Sequence, residues 1–332
     1  MRVFRHLTDI PADFAPTLVS VGNFDGVHRA HRCVLEQIVT RAQKRGGKSV
    51  AVSFEPHPMR ILRPDSALKL ITPTAEKLRL LEQSGVDATV LLPFTRDLSL
   101  MRPREFAEQI LREGLHAVEV HEGYNFHFGH RAAGDVSMLD EFGRELGFEV
   151  VVYPEMRIRG SSVSSTRIRE LISKGDMQRA RVLLTRPFSI VSNPGRGRGY
   201  GSKYTVPTIN LARYEELAPR DGVYITRTRV GEECFDSVTN VGNRPTFGAD
   251  SFAIETHLLN FHPIELTAET PIELSFLFRL RDEIKFPSVQ DLRDQIARDV
   301  KKAHRYLHKL RQQEKARTNA LSSEENMPGG GI

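Results

Sequence analysis

Tryptophan is absent from these 332 residues, and cysteine occurs twice, as Cys33 and Cys234. Two distant cysteines exclude a disulfide scaffold and a zinc ribbon, and they fit a reducing compartment. Long apolar runs are missing too: none approaches the roughly 20 residues of a membrane-spanning helix. The opening Met1-Arg-Val-Phe-Arg-His6 has neither the apolar stretch nor the small-residue cleavage site of a secretory signal. A soluble, cytoplasmic protein with no membrane partner is expected. A strong charge bias is also lacking. The 47 Lys and Arg against 42 Asp and Glu leave +5, which suits phosphorylated ligands but not a dedicated nucleic-acid coat. At roughly 100–200 residues per domain, the length predicts two domains, each able to bury its own core.

What is present divides near residue 185. Before it, short β-branched runs alternate with helical spacing. Strands are predicted over Leu18–Gly22, Val50–Phe54, Ala88–Leu92, Ala117–Val120 and Phe148–Tyr153, and helices over Val34–Ala42, Ala75–Leu81, Pro103–Leu111 and Val136–Leu146. Strands separated by helices imply a parallel sheet with crossover helices, whose ligands bind outside the carboxyl ends of the strands. After it come short strands with turn punctuation: Phe188–Val191, Gly222–Arg229, Cys234–Val241, Phe252–Leu259 and Ile272–Leu280. These predict a small antiparallel β-barrel. One helix follows, with Leu292, Ile296, Val300, Ala303, Leu307 and Leu310 in a single apolar stripe that should dock on the barrel. Its other face carries Lys301, Lys302, Arg305, Lys309 and Arg311; we read this as a solvated face rather than a nucleic-acid patch. The expected domains are residues 1–184 and 185–313, with a polar, disordered tail over 314–332.

Two segments of the first domain carry chemistry. In Val21-Gly-Asn-Phe-Asp-Gly-Val-His-Arg-Ala-His31, Gly22 and Gly26 allow a tight turn and close approach of an anion. His28 and His31 share one face of a first helical turn, beside a helix N-terminus suited to polyphosphate. The bland reading is that one histidine caps the helix and the other is incidental; zinc is a third reading, without nearby ligands to complete a site. In Gly160-Ser-Ser-Val-Ser-Ser-Thr-Arg-Ile-Arg169, hydroxyls of Ser164, Ser165 and Thr166 and the guanidinium groups of Arg167 and Arg169 open a helix after the last strand. Alone this is an N-cap with exposed arginines. Together the two segments supply the halves of a triphosphate cradle.

Gly22-x-Phe24-Asp25-Gly26-x-His28-x-x-His31 with Ser164-Ser165-Thr166-Arg167-Ile168-Arg169 resembles the adenylyltransferase module of the bacterial bifunctional riboflavin kinase/FMN adenylyltransferase (FAD synthetase) family. Phe54-Glu-Pro-His-Pro58 and Gly123-Tyr-Asn-Phe-His-Phe-Gly129 with Gly134-Asp135 add to the likeness, and Ala30 stands where the family has glycine. The resemblance implies a nucleotidylyltransferase domain with a Rossmann-like parallel sheet, in which the phosphate of FMN attacks the α-phosphate of ATP. It implies that His28 and His31 act on the phosphates and that Ser165, Thr166 and Arg167 hold the departing pyrophosphate. Gly22, Phe24, Asp25, Gly26, Ser164 and Arg169 would complete the ATP site, with Asp25 orienting the loop or helping to place magnesium. Asn125 and Phe126 would lie near the flavin.

The second half has its own constellation. Asn193-Pro-Gly-Arg-Gly-Arg-Gly-Tyr-Gly201 is either a phosphate-binding loop or a flexible Gly/Arg turn. Strand alternation puts Glu255 and His257 on one face, opposite Ile254, Thr256 and Leu258. Pro207-Thr208-x-Asn210, Asn240-Val-Gly-Asn-Arg-Pro-Thr-Phe247, Ile254-Glu255-Thr-His-Leu-Leu259 and Arg281-Asp-Glu-Ile-Lys-Phe286 resemble the riboflavin kinase module, in that family's order. The resemblance implies Mg-ATP held by Thr208 and Asn210, with Glu255 as the base for the riboflavin 5′-hydroxyl. Ser202, Thr205 and Val206 depart from the family's arginine, glycine and aromatic residue. They define the alternative reading: an FMN adenylyltransferase whose barrel binds flavin without kinase turnover.

Overall fold

The computed structural model describes residues 1–66, 68–195, 208–243 and 252–325, in two compact units. One comprises Met1–Leu171, Arg179–Arg186 and Glu215–Leu217; the other takes Ile172–Gln178, Pro187–Tyr214 and Ala218–Ile332. The sequence places the boundary after residue 184, whereas the units interchange Ile172–Gln178 and Glu215–Leu217 across it.

In the first unit the elements run β1 (Arg2–Phe4), β2 (Thr17–Val21), α1 (Arg29–Arg45), β3 (Lys48–Glu55), α2 (Pro58–Leu62), α3 (Thr74–Glu82), β4 (Ala88–Pro93) and α4 (Arg96–Leu100). There follow α5 from Pro103, β5 (Ala117–Gly123), α6 (Val136–Leu146), β6 (Glu149–Tyr153), the small hairpin β7 (Arg157–Ile158) and β8 (Ser161–Ser162), then most of α7 (Ser165–Ser173) and of α8 (Met177–Leu184), whose residues 172–173 and 177–178 count with the other unit. The main sheet has the order β1-β4-β3-β2-β5-β6 with every pair parallel. All five residues of β2 are buried, as a strand covered on both faces requires. Alternate side chains feed two cores: Val19, Val21, Val50 and Val52 meet Phe106, Leu111 and Leu139, while Leu18 and Ala51 meet Leu35, Ile38, Leu80 and Leu81. The order reverses between β2 and β5, so the crevice of a doubly wound sheet opens at their carboxyl ends.

Two features escape the sequence pattern. β1 is a three-residue edge strand on β4, too short for periodicity to show. The predicted helix over Pro103–Leu111 changes to i→i+5 hydrogen bonding across Phe106–Gly114, a register that sequence spacing near 3.6 does not reveal.

The second unit is antiparallel. β9 (Phe188–Ser192), β10 (Thr208–Asn210), β11 (Gly222–Val230), β12 (Glu233–Asn243), β13 (Phe252–Leu258) and β14 (Ile272–Arg281) have the order β10-β13-β12-β11-β14-β9. The two edges meet: Pro194 bridges Leu211, Gly195 N–H donates to the Asn210 carbonyl at 2.8 Å, and Ala212 N–H to that of Asn193 at 2.8 Å. The sheet therefore closes into the expected small barrel. Inside it, the fully buried hydroxyls of Thr226, Ser237, Thr228, Thr256 and Thr239 form a closed ring of hydrogen bonds of 2.7–3.1 Å. Each group finds partners among its neighbours, as burial of a polar group demands.

α9 (Val289–Glu325) lays Ala303, Leu307 and Leu310 against Ile225, Leu259 and Leu277. The stripe does not dock along its whole length, because Leu292 and Ile296 remain 40% and 42% exposed. On the far face Lys301, Lys302, Arg305 and Lys309 are exposed, and Arg311 reaches Asp236. The helix continues through Glu325, past the point at Glu314 where the polar composition suggested disorder: a run rich in Gln, Glu, Lys, Arg and Ala has good helix propensity without an apolar face. Among the described residues no helix is long and apolar enough to cross a membrane.

Candidate functional site

In the first unit the predicted residues gather at the carboxyl end of β2. His28 is the N-cap of α1: its Nδ1 accepts from His31 N–H at 3.4 Å. The two imidazoles stack with centroids 3.5 Å apart, and Phe24 meets His31 edge-on at 5.1 Å. His28 therefore caps the helix, and its ring is also stacked on that of His31. Burial lowers the pKa of His28 to about 4, and burial with the neighbouring His28 lowers that of His31. Both rings are neutral at pH 7, each keeping one N–H donor. Nδ1 of His31 is buried without a protein partner, a cost of about 1–3 kcal/mol.

Asp25 locks the turn. Its Oδ1 accepts from Thr72 N–H (2.9 Å) and Thr72 Oγ1 (3.2 Å), and its Oδ2 from Ile71 N–H (3.1 Å) and Arg169 Nη2 (2.5 Å). Ser165 Oγ donates to the Asp25 carbonyl at 2.8 Å. The two halves of the predicted cradle, 140 residues apart in the chain, therefore meet on one residue. Gly26 makes this possible with φ +88, and a Cβ there would stand 3.3 Å from Ile71 Cδ1. These four donors fix the Asp25 carboxylate in place. Arg169 is equally committed, its Nε donating to the Lys69 carbonyl at 3.2 Å. Phe24 is 2% exposed and belongs to the core. Ser164 Oγ caps α7 through Arg167 N–H at 3.2 Å, Arg167 pairs with Glu170 at 2.8 Å, and Thr166 is exposed.

Beside this turn lies a cavity of about 860 Å³ lined by Gly22 and Asn23 and by the rings of Phe54, Phe94, Phe126 and Phe128. Arg63, Arg96 and Arg131 line it too. Phe126 stacks on Phe128 with centroids 5.4 Å apart; the neighbouring Asn125 is exposed and does not line the cavity. Sequence reasoning assigned no role to His57 or Lys77. His57 caps α2 through Met59 N–H at 3.2 Å, and burial lowers its pKa to about 4. Lys77 points inward beneath Asn23. Its sequence signal is a cation at the same helical spacing as the buried Leu80 and Leu81.

In the second unit β10 and β13 set Asn210 opposite Glu255 and Thr208 opposite His257. Glu255 and His257 do share a face, with Ile254, Thr256 and Leu258 buried on the other. Thr208 Oγ1 lies 3.2 Å from His257 Nδ1, and burial lowers the histidine's pKa. Thr208, Glu255, His257, Asn240, Leu292 and Ile296 line a cavity of about 1040 Å³, so the undocked part of the helical stripe forms an apolar wall. Arg281, also lining it, pairs with the buried Asp299 at 2.8 Å. The oxygens of Thr208, Asn210 and Glu255 are hard donors on adjacent strands, a set that fits magnesium; no cluster of three His, Cys, Asp or Glu occurs among the described residues. The Gly/Arg loop from residue 196 and the departures Ser202, Thr205 and Val206 lie outside the described residues.

Comparison with known proteins assigns a family to each half. The FAD synthetase model matches residues 10–167 and the riboflavin kinase model residues 184–307. Bifunctional riboflavin kinase/FMN adenylyltransferase of Pseudomonas fluorescens is 31% identical over 301 residues, covering 90% of this chain and 96% of that protein. The protein of the same name from Escherichia coli K12 is 31% identical over 300 residues, covering 90% and 95%. A crystal structure described as a macrolide-efflux protein from Streptococcus pneumoniae superposes with a TM-score of 0.79 at 26% identity, covering 91% of this chain and 98% of that one. The likeness spans both units in one continuous chain, which therefore belongs to the family of bifunctional riboflavin kinase/FMN adenylyltransferases.

Proposed function

We propose that the chain makes flavin cofactors in two ATP-dependent steps, converting riboflavin to FMN in the barrel and FMN to FAD in the parallel-sheet unit. The observation that carries the second step is the meeting of the Ser165–Arg169 turn with the histidine loop on Asp25. The FMN phosphate oxygen bonds to the α-phosphorus of ATP as the bond to the pyrophosphate oxygen breaks. Such a displacement needs positioning and charge stabilisation more than covalent help. His28 and His31 offer N–H groups to the phosphates, and an arriving triphosphate would raise their affinity for protons. Ser164, Ser165, Thr166 and Arg167 surround the α7 N-terminus, where pyrophosphate gains from backbone N–H groups. The ring-lined cavity takes the isoalloxazine, with Phe126 in its wall.

In the barrel Glu255 removes the proton of the riboflavin 5′-hydroxyl as that oxygen attacks the γ-phosphorus of ATP and ADP leaves. Thr208 and Asn210 would hold magnesium, which supplies charge neutralisation on the phosphates. Leu292 and Ile296 give the flavin an apolar wall. Paired assays on the full chain test the division. His31→Ala should lower FAD formation from FMN about a hundredfold and leave FMN formation from riboflavin unchanged; Glu255→Gln should do the reverse. Loss of both activities in either variant would overturn the assignment of one step to each unit.

A further inference from the structure

α3 turns a lysine inward. Lys77 is 5% exposed, and lysine is almost never so buried unless paired. Its Nζ donates to Ser53 Oγ at 2.9 Å and lies 3.4 Å from the carbonyl oxygens of Asn23 and Phe54. These acceptors are neutral, and the ammonium forms no ion pair with the described residues. Asp25 and Glu55 favour its charge only from farther off, while burial lowers its pKa. A desolvated cation with neutral ligands is incompletely compensated. Asn23 and Phe54, whose carbonyls it touches, line the 860 Å³ cavity.

We propose that Lys77 is one of the charges by which this cavity selects a flavin carrying a 5′-phosphate, acting with the lining Arg63, Arg96 and Arg131, its ammonium standing one residue behind the wall made by Asn23 and Phe54. This rests on the proposed function, in which the aromatic cavity holds FMN. The phosphate it senses is the flavin's rather than the nucleotide's: His28, His31 and Ser165, assigned to the triphosphate, do not line this cavity. Lys77 is a positioning and specificity residue and touches no reacting atom. Its field acts through a single layer of protein, where the effective dielectric is far below that of water.

The test uses the full chain and follows FAD formation with FMN and ATP varied separately. Lumiflavin, a ring without ribityl chain or phosphate that the kinase site cannot phosphorylate, serves as competitor. Lys77→Met removes the charge. Lys77→Gln removes it while keeping an N–H donor for Ser53 and the Asn23 carbonyl, and it carries the test if the Met variant does not fold. Both should raise KM for FMN about tenfold, equivalent to ~1.4 kcal/mol, with KM for ATP and the inhibition constant of lumiflavin unchanged; Lys77→Arg should restore the parental KM. A parental FMN KM in Lys77→Gln overturns the proposal, since hydrogen bonding alone would then suffice. So does a rise confined to the ATP KM, or a fall in kcat with both KM values kept. A parent chain that makes no FAD would fail the functional reading itself, which separates that failure from the failure of Lys77.

Discussion

Replacing Asp25 by asparagine tests how the first site is assembled. The carboxylate takes two donors on each oxygen. An amide keeps one acceptor; if its oxygen stays with Thr72, its NH2 faces Ile71 N–H and Arg169 Nη2, donor against donor. Removing one partner of a buried ion pair costs about 3–5 kcal/mol. Asp25 is 2% and Arg169 21% exposed at the side chain, so the arginine regains some water and ~3 kcal/mol is the figure to expect. With a urea slope of about 2–3 kcal/mol per molar, the unfolding midpoint of the parallel-sheet unit should fall by roughly 1 M. The assay is a urea titration followed by circular dichroism, with FAD-forming and FMN-forming activity measured at each concentration. FAD formation should disappear first. Restoring apolar complementarity with Arg169→Met in the same chain should recover part of the stability, because no uncompensated guanidinium remains. A midpoint within about 0.2 M of the parent, with normal FAD formation, would refute the claim that Asp25 joins the two halves.

Acid should weaken the same unit. His28 and His57 have pKa values of about 4 in the folded chain against roughly 6.5 unfolded. The unfolded state binds protons first, so their contribution is complete above pH 6.5 and is lost as the pH falls toward 4, by ~2 kcal/mol per histidine at pH 5. His28→Asn keeps a capping side chain and should flatten this loss between pH 7 and 5; an unchanged pH slope in urea melts would count against it. In the barrel, Thr239→Val leaves Thr226 and Thr256 each without one hydroxyl partner. That should cost about 1–3 kcal/mol, read as a lower temperature for loss of kinase activity, and a parental temperature would show that the hydroxyl ring contributes nothing.

Much of the architecture was legible because burial leaves a local trace. Leu18–Gly22 and Val50–Phe54 announce strands of a parallel sheet, and the alternation around Glu255 and His257 announces a strand with two unlike faces. Edge strand β1, the i→i+5 stretch of α5 and the polar end of α9 leave weaker traces, since none is defined by a long apolar period. The histidine and Ser/Thr/Arg motifs were visible, but their individual tasks were not. Tertiary structure adds that Arg169 braces Asp25 and that Phe24 packs in the core.

Chain chemistry by itself determined the two-unit plan, the strand ends where ligands should bind and the residue types available there, because side-chain periodicity and turn chemistry act over a few neighbouring residues. Tertiary structure alone decided that Thr72, Arg169 and Ser165 converge on Asp25, that Lys77 lies behind two residues of the aromatic-lined cavity, and that Leu292 and Ile296 line a cavity. Those outcomes depend on crossover connections that bring distant segments within hydrogen-bonding range, and no local pattern encodes which donor will reach which acceptor.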